Sequence, residues 1–378
     1  MTEADAAAAL PCLQAPTEEA KTATDLGVVY TTGQGVPKDD QKALSLFRKA
    51  AEQGDTKAQF NLGVMYATGQ GVPKDDQQAL TWFRKAAEQG DTKAQYNLGV
   101  MYQNGQGVPK DVQQALSWFR AAAGQGEADA QFALGKMYDV GQGVPKDEQQ
   151  ALSWYRKAAD QGHADAQLNL GVMYAKGEGV AQDHQQALSW FRKAADQGNA
   201  HAQYSLGGLY DLGLGVPKDD QQAYFWYRMA ADQGNDKAQY NLGVIYRTGR
   251  GLPTDDQQAM FWYRKAADQG NAHAQYTLGY MYDVGQGVPK DDEQALSWFR
   301  KAADQGYAAA QFSLGIRYAT GAGVSKDDQQ AFFWWLLASA GGDARVVRNR
   351  DLIEKRLTAD QRAAARAQAS DWKPKPAK

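Results

Sequence analysis

The sequence predicts an all-α fold, an α/α solenoid of nine 36-residue helix-turn-helix repeats followed by a C-terminal helical cap. Two regularities carry this prediction. The dipeptide Leu-Gly returns every 36 residues from Leu26 to Leu314 without an insertion or a deletion. A tryptophan occupies one position in eight of the nine units, from Trp82 to Trp334. Because self-similarity at a fixed period is the signature of a repeat architecture, we expect one array rather than two or three globular domains.

The first helix of each unit is predicted from an N-cap and an apolar stripe. In the second unit, Asp55 is a suitable N-cap, and Ala58, Leu62 and Tyr66 follow at helical spacing. Gly63 lies in the middle of this helix, where glycine costs about 1 kcal/mol relative to alanine. Because a glycine stands at this position in every unit, we expect a neighbouring helix to approach closely there.

A turn that contains glycine and proline separates the two helices of a unit. Gly69 and Gly71 are expected to adopt positive φ, and Pro73 prevents the helix from continuing. Asp75 then caps the second helix, and Gly90 ends it. The buried face of this helix is expected to contain Ala79, Trp82, Phe83, Ala86 and Ala87. Residues 69–74 also place glycines near a lysine, but a phosphate loop needs a preceding strand and a following Ser or Thr, so a plain turn is favoured.

The period sets the predicted boundaries along the chain. Residues 1–21 are expected to form a flexible N-terminal tail, and residues 373–378 a short, disordered basic tail. Residues 346–372 are expected to form capping helices, the last of which begins at a capping box from Thr358 to Gln361. The nine predicted repeats are residues 22–57, 58–93, 94–129, 130–165, 166–201, 202–237, 238–273, 274–309 and 310–345.

Composition and charge exclude several classes of partner. The formal net charge is −3, so we expect no basic surface for nucleic acid. No apolar run reaches the roughly 20 residues that span a bilayer. The single cysteine, Cys12, can form neither an intramolecular disulfide nor a cysteine zinc cluster, and we interpret it as a free thiol rather than a lipid anchor. As the sequence stands, the protein is expected to be cytoplasmic; removal of a leader would make it exported or periplasmic.

The repeat motif reads Ala-x-x-x-Leu-Gly-x-x-Tyr-x-x-Gly-x-Gly-Val, then Asp-x-x-x-Ala-x-x-Trp-x-x-Lys-Ala-Ala-x-x-Gly. It resembles the Sel-one-like repeat, a relative of the tetratricopeptide repeat, over residues 22–345. The resemblance implies helical hairpins stacked in a right-handed superhelix, and an adaptor function for other proteins. Some cysteine-rich relatives are described as penicillin-binding or β-lactam-hydrolysing, but their paired cysteines are absent from these repeats.

No arrangement in the sequence predicts a catalytic, cofactor or metal site. His163 and His184 fall at unrelated positions. His201 and His273 share one repeat position but are two units apart, roughly 20 Å by helix-packing distances, which is too far for one metal ion. The aspartate that precedes each second helix is interpreted as an N-cap rather than a calcium ligand. We therefore expect a non-enzymatic protein without a cofactor.

Positions that vary between copies while the core repeats are candidates for partner binding. Three such positions share one side of the first helix: the residue before Leu-Gly, the residue four positions earlier, and the residue two positions after the tyrosine. Asparagine suits the backbone of an extended peptide because its amide both donates and accepts hydrogen bonds. The predicted partner-binding residues are Asn61, Asn97, Asn169, Asn241, Lys57, Lys93, His201, Lys237 and His273. The alternative is a solvated polar face without a ligand.

The sequence thus favours a monomeric, non-enzymatic scaffold or adaptor that binds a protein or an extended peptide on the concave face of the solenoid. A hydrolase like the cysteine-rich relatives is disfavoured, because no unit carries an off-pattern nucleophile and base. A passive structural spacer is the other alternative. The close similarity of the copies suits an extended or repetitive partner held by several weak contacts.

Overall fold

The computed structural model describes residues 17–376, and the regular secondary structure in that range is entirely helical. Twenty α-helices, α1 to α20, follow one another there, with a short 3-10 helix, Ser339–Gly341, after α18. The chain divides into two compact units, Met1–Asp183 with α1 to α9 and His184–Lys378 with α10 to α20. The predicted all-α solenoid of nine repeats is confirmed, since pairs of helices return every 36 residues.

Each repeat contributes a first and a second helix. The first helices are α1 Glu18–Thr32, α3 Thr56–Thr68, α5 Thr92–Asn104, α7 Ala128–Val140, α9 Ala164–Lys176, α11 Ala200–Leu212, α13 Asp236–Thr248, α15 Ala272–Val284 and α17 Ala308–Thr320. The second helices are α2 Asp40–Glu52, α4 Asp76–Glu88, α6 Val112–Gly124, α8 Glu148–Asp160, α10 His184–Asp196, α12 Asp220–Asp232, α14 Asp256–Asp268, α16 Asp292–Asp304 and α18 Asp328–Ala338. The capping helices are α19 Ala344–Glu354 and α20 Ala359–Asp371.

Side-chain caps begin most of the repeat helices and glycines follow their ends, as the sequence predicts; Glu127 and Tyr307 precede α7 and α17 without a side-chain cap. The Asp55 carboxylate accepts a hydrogen bond from the first turn of α3, and Asp75 does the same for α4. Gly69 and Gly71 have φ of 78° and 68°. A Cβ on Gly71 would lie 2.6 Å from the Asp40 carbonyl oxygen. The turn therefore packs directly on the second helix of the preceding repeat, and only glycine fits there.

In the repeats whose two helices belong to one unit, the core lies between those helices, next to the central glycine of the first helix. Leu62 is fully buried, and a Cβ on Gly63 would lie 2.7 Å from Phe83 Cδ1. The equivalent glycine meets an aromatic ring in seven other repeats, for example Gly135 against Tyr155. The predicted close approach of a neighbouring helix is confirmed. A large buried ring offsets the helix-propensity cost of the glycine.

The tryptophan row is more deeply buried in the second unit than in the first. Trp262 is 2% exposed, whereas Trp82, Trp118 and Trp154 are half-buried. An ammonium group covers the half-buried Trp82 ring, because Lys85 Nζ lies 4.1 Å from its centroid. The tryptophans pack between helices as predicted, but in the first unit their rings are only half-buried, whereas a fully buried position was expected for Trp82.

Buried glutamines join consecutive repeats. Gln275, near the start of α15, is 5% exposed. Its amide donates to the Ala267 carbonyl of the preceding repeat at 3.0 Å, and its side-chain oxygen accepts from the Gln305 amide at 2.8 Å. The same pair of bonds occurs at Gln59, Gln95, Gln131, Gln203 and Gln239. Because a buried amide is costly unless both its groups are paired, this ladder fixes the spacing between repeats.

Two helices, α19 and α20, follow the ninth repeat. Thr358 and Gln361 make the capping box that begins α20. Val346 and Ile353 of α19 are buried in one cluster with the aromatic residues of α18. The cap therefore covers apolar surface that a tenth repeat would otherwise cover.

Both predicted tails are shorter than expected. The helix α1 begins at Glu18, so residues 18–21 are helical rather than part of a flexible tail. Residues 1–16, which include Cys12, lie outside the described residues. At the other end, Lys375 bonds to Asp304 through its backbone and its side chain, so the expectation of disorder is corrected for residues 373–376. Residues 377–378 lie outside the described residues.

Candidate partner-binding face

The predicted partner-binding residues all lie on first helices. We call the solvent-facing side of α3, α5, α9, α11, α13 and α15 the first-helix face. Its cationic and imidazole members are exposed, namely Lys57, Lys93, His201, Lys237 and His273. Its asparagines are half-buried, namely Asn61, Asn97, Asn169 and Asn241. In the repeats that hold both, a half-buried polar side chain therefore lies four residues after an exposed one.

Asn97 lines a cleft between α3 and α5 in the first unit. The cleft has a volume of 180 Å³, and its apolar lining includes Val64, Phe83, Val100 and Met101. Within residues 17–376, the side chains of Asn61 and Asn97 make no hydrogen bond to the chain itself. An unpaired amide beside an apolar cleft is the arrangement that binding sites use to orient a ligand.

Asn169 and Asn241 already have partners within the chain. The Asn169 amide hydrogen-bonds the Tyr155 hydroxyl, which itself donates to Asp139 at 3.2 Å. Burial and then the Asp139 charge raise the pKa of Tyr155 well above its ordinary value, and the Asn169 amide partly opposes this rise. Asn241 bonds Tyr227 in the same way. The four asparagines are therefore not equivalent, because two of them share their amides with a tyrosine of the preceding repeat.

The two imidazoles of the predicted set have different surroundings. His201 Nδ1 lies 3.2 Å from the Asn235 side-chain nitrogen. His273 packs beside Tyr240 and Tyr307, with ring centroids 5.8 and 4.9 Å away. The structure does not bring the two imidazoles into contact. Each offers a separate exposed ring to a partner.

The sequence analysis missed an aromatic row that adjoins the asparagines. The rings lie against the buried aromatic residue of their own repeat, as in Tyr96 and Phe119 with centroids 5.8 Å apart. Half-buried rings supply rigid apolar contact area at low entropic cost, so we add this row, including its members on α7 and α17, to the first-helix face. The signal in the sequence was an aromatic residue directly before the variable asparagine position. The row consists of Phe60, Tyr96, Phe132, Tyr204, Tyr240, Tyr276 and Phe312, all half-buried.

Arg317 is an off-pattern charge in the second unit. Its position is Val, Met, Leu or Ile in the other repeats, and it is 3% exposed. The guanidinium donates to Asp283 at 2.6 Å and to the Ala322 carbonyl at 3.1 Å. Because a buried guanidinium requires such partners, we assign this cluster a structural role.

Two phenylalanines break the repeat pattern on second helices of the second unit. Phe225 and Phe261 are 49% and 47% exposed, although most other repeats have Ser or Thr at this position. In the last repeat the equivalent Phe333 is 3% exposed and lies in the cluster that includes the cap. The signal in the sequence was variation between copies on the second helix, where Phe replaces the usual Ser or Thr. Only first-helix positions were predicted to bind a partner.

The histidines and acidic side chains of the described range are distributed along the repeats. Within residues 17–376, no three His, Cys, Asp or Glu side chains are grouped so as to hold a metal ion. His163 serves as the N-cap of α9 and lies 3.3 Å from Asp129. No helix in the described range is long and apolar enough to span a bilayer.

Comparisons with known proteins agree with this architecture. A crystal structure of a protective antigen from uropathogenic Escherichia coli strains, which displays an SLR fold, is 35% identical with a TM-score of 0.66, over 94% of this chain and 91% of that one. A crystal structure of a Sel1 repeat protein from Oxalobacter formigenes is 39% identical with a TM-score of 0.60, over 79% of this chain and 86% of that one. No curated protein matches the chain.

The family model described as the Sel1 repeat matches nine consecutive segments. Each segment begins two residues before the predicted unit. The segments are residues 20–55, 56–91, 92–127, 128–163, 164–199, 200–235, 236–271, 272–307 and 308–343. Repeat proteins of this kind generally mediate protein–protein interactions, and their scaffold is generally non-catalytic. Since these matches run without a gap from residue 20 to residue 343, the chain belongs to the Sel1 repeat family.

Proposed function

We propose that this chain is a non-enzymatic scaffold that binds an extended segment of a protein partner along the first-helix face. The observation that carries the proposal is the cleft beside Asn97, where an unpaired amide adjoins aliphatic and aromatic side chains. An extended peptide presents a backbone N–H and C=O that match the two groups of an asparagine amide. Its side chains can enter the clefts between successive first helices.

The charged residues indicate which partner would bind best. Lys57, Lys93 and Lys237 are exposed near the start of their first helices, so they favour a segment with carboxylates at corresponding positions. The exposed rings of His201 and His273 supply contacts in the second unit. The amides of Asn169 and Asn241 already contact Tyr155 and Tyr227, which are buried at 0% and 3% exposure. These two repeats therefore offer a partner only a half-buried asparagine whose amide is partly engaged.

The test is a quantitative pull-down from a lysate of the source organism with three versions of the full chain. One is the wild type, one carries Asn61→Ala and Asn97→Ala, and one carries Ser117→Ala and Ser153→Ala. The two serines are exposed on second helices and serve as a control that removes the same number of polar groups from another surface. Far-UV circular dichroism and the melting temperature establish that all three are folded.

A protein recovered with the wild type and the serine control, but lost with the asparagine variant, supports the proposal. Its affinity, measured afterwards with purified components, is expected to fall about tenfold or more, the effect of losing one or two good hydrogen bonds. Equal recovery by all three versions places the binding surface elsewhere. No recovered protein with any version favours a passive spacer.

A further inference from the structure

The C-terminal segment of the chain lies on the turn that joins α16 of the eighth repeat to α17 of the ninth, residues 305–307. We call such a turn between consecutive repeats a corner, and the glycine in it the corner glycine. Trp372 follows α20 and packs beside Leu336 and Leu337 at the edge of the core. Pro374 then lies over Gly306, since a Cβ on Gly306 would be 3.5 Å from Pro374 Cγ. At the other corner glycines no heavy atom lies within 4 Å of the equivalent Cβ position, namely Gly54, Gly90, Gly126, Gly162, Gly198, Gly234 and Gly270.

Lys375 binds this corner through two separate hydrogen bonds. Its backbone N–H donates to the Asp304 carbonyl at 2.8 Å, and its ammonium group lies 2.8 Å from the Asp304 carboxylate. Asp304 is the last residue of α16, where the unpaired carbonyls and the helix dipole concentrate negative charge. A carboxylate adds to that charge, so the corner attracts a group that is both a cation and an N–H donor.

The polar side chains near Asp304 interact with other groups, so they do not replace the tail as its partner. Lys301 is close to the same corner, but its ammonium group lies 3.7 Å from the Trp298 ring centroid and is directed there. Gln305 donates its amide to Gln275 in the buried ladder. Lys375 is therefore the cation that neutralises the Asp304 carboxylate in the described part of the chain.

The tail has the chemistry of a peptide ligand. Pro374 and Pro376 flank Lys375 and have no N–H. Within residues 374–376 the backbone N–H of Lys375 is therefore the one that needs an acceptor, and the Asp304 carbonyl provides it. Prolines also hold a segment extended before it binds, which lowers the entropic cost of docking. Beyond Lys375 the segment borders a cleft of 450 Å³ whose lining includes Asp268 and Gly270 of the preceding corner. The cleft extends the corner surface past the end of the described tail.

We propose that the corner surface around Asp304 and Gly306 is a binding site for an extended, lysine- and proline-containing segment of another protein, and that residues 372–376 occupy it in the free chain. The tail is a ligand in cis, and a partner with the same chemistry displaces it and continues into the cleft beside Asp268. This surface lies at the C-terminal ends of second helices. The inference therefore goes beyond the first-helix face and does not rest on the function proposed for it.

The experiment measures fluorescence anisotropy of a labelled peptide with the sequence of residues 373–378, Lys-Pro-Lys-Pro-Ala-Lys, added to the full chain. Lys375→Glu in the chain places a carboxylate opposite Asp304 and is expected to vacate the corner. Amide hydrogen exchange of the C-terminal peptide tests the release: exchange should become faster in the variant, because the backbone N–H of residue 375 loses the Asp304 carbonyl as its acceptor. The free corner should bind the probe about tenfold more tightly than the wild type does, since the tail no longer competes.

Two further variants locate the probe. Asp304→Asn, combined with Lys375→Glu, should abolish the gain in affinity. Glu293→Gln in the same background is the matched control, because Glu293 is an exposed carboxylate at the opposite end of the same helix, and it should leave the affinity unchanged. Raising the salt concentration should weaken probe binding to the free corner.

Equal probe affinity for the wild type and Lys375→Glu would overturn the proposal, as would a gain that Asp304→Asn leaves intact. A probe with glutamate in place of its central lysine that binds equally well would also overturn it. Concentration-dependent dimers of the wild type that the probe dissociates would reassign the site to the tail of a second copy and refute the assignment to another protein.

Discussion

Two adjacent glycines in α11 allow the packing role of the repeated glycine to be separated from its effect on helix formation. Gly207 is the central glycine of the sixth repeat, and a Cβ there would lie 2.7 Å from Tyr227 Cδ1. Gly208 is the next residue, and its nearest contact would be the Tyr227 hydroxyl at 3.7 Å. Gly207→Ala and Gly208→Ala therefore make the same chemical change in the same helix, with and without a clash.

The magnitudes follow from two opposing effects. Alanine in place of a mid-helix glycine stabilises by about 1 kcal/mol. Gly208→Ala should gain this amount, since 3.7 Å is ordinary van der Waals contact. Gly207→Ala gains the same propensity, but the Tyr227 ring is 3% exposed and must shift within a packed core. Such overpacking costs about 1–3 kcal/mol, so the two variants should differ by about that amount, with Gly207→Ala the less stable.

The assay is urea unfolding followed by far-UV circular dichroism, with the wild type as the reference. The midpoint for Gly208→Ala should rise and that for Gly207→Ala should fall at an unchanged slope. Hydrogen exchange of α11 amides gives the same comparison locally, because an array unfolds in segments. If Gly207→Ala proves as stable as Gly208→Ala, the ring contact is not the reason for the repeated glycine, and the account of the core is wrong.

Three other perturbations test the array. Leu170→Ala, at a fully buried position, should cost about 2–5 kcal/mol and split the calorimetric unfolding transition, whereas a single unchanged transition would contradict nearest-neighbour coupling. Gln275→Met leaves the Ala267 carbonyl and the Gln305 amide without their partner and should cost about 1–3 kcal/mol in urea unfolding; an unchanged midpoint would show that the glutamine ladder adds nothing. Burial raises the pKa of Tyr263 to about 12, so the folded state favours the neutral hydroxyl, and stability should fall as pH rises from about 10 towards 12. Melting temperatures across this range should fall less steeply for Tyr263→Phe, and equal slopes would refute the assignment.

The local features of the fold could be predicted from the sequence because each depends on a few neighbouring residues. The cap at Asp55 needs only an amide three residues later, and the positive φ of Gly69 needs only a residue without Cβ. The close approach at Gly63 is also predictable, because a costly residue returned at a fixed period. These features repeat, so one correct assignment fixes nine repeats at once.

The candidate site was harder to predict, because its character depends on contacts between repeats. All nine predicted residues do lie on first helices. That Asn169 shares its amide with Tyr155 follows from the packing of α9 on the helix before it, which residue spacing within a unit does not reveal. The tail contact joins Lys375 and Asp304 across 71 residues, and no pattern within a repeat points to it. Sequence periodicity predicts what recurs in every unit, whereas these contacts need a residue that only some copies have or a segment that lies outside the repeats.

That division between recurring and variable positions determines how the binding experiments can be interpreted. The recurring positions carry the glycine–ring contact, the glutamine ladder and the helix caps, and changes there alter folding before they alter binding. Asn97 and Asp304 lie outside all three, since the Asn97 amide is unpaired and the Asp304 carboxylate bonds only the tail. Their substitution should therefore leave the melting temperature close to that of the wild type. A loss of binding at an unchanged melting temperature can then be assigned to the surface itself, and because the two residues lie on different helices of different units, each surface can fail its test without the other.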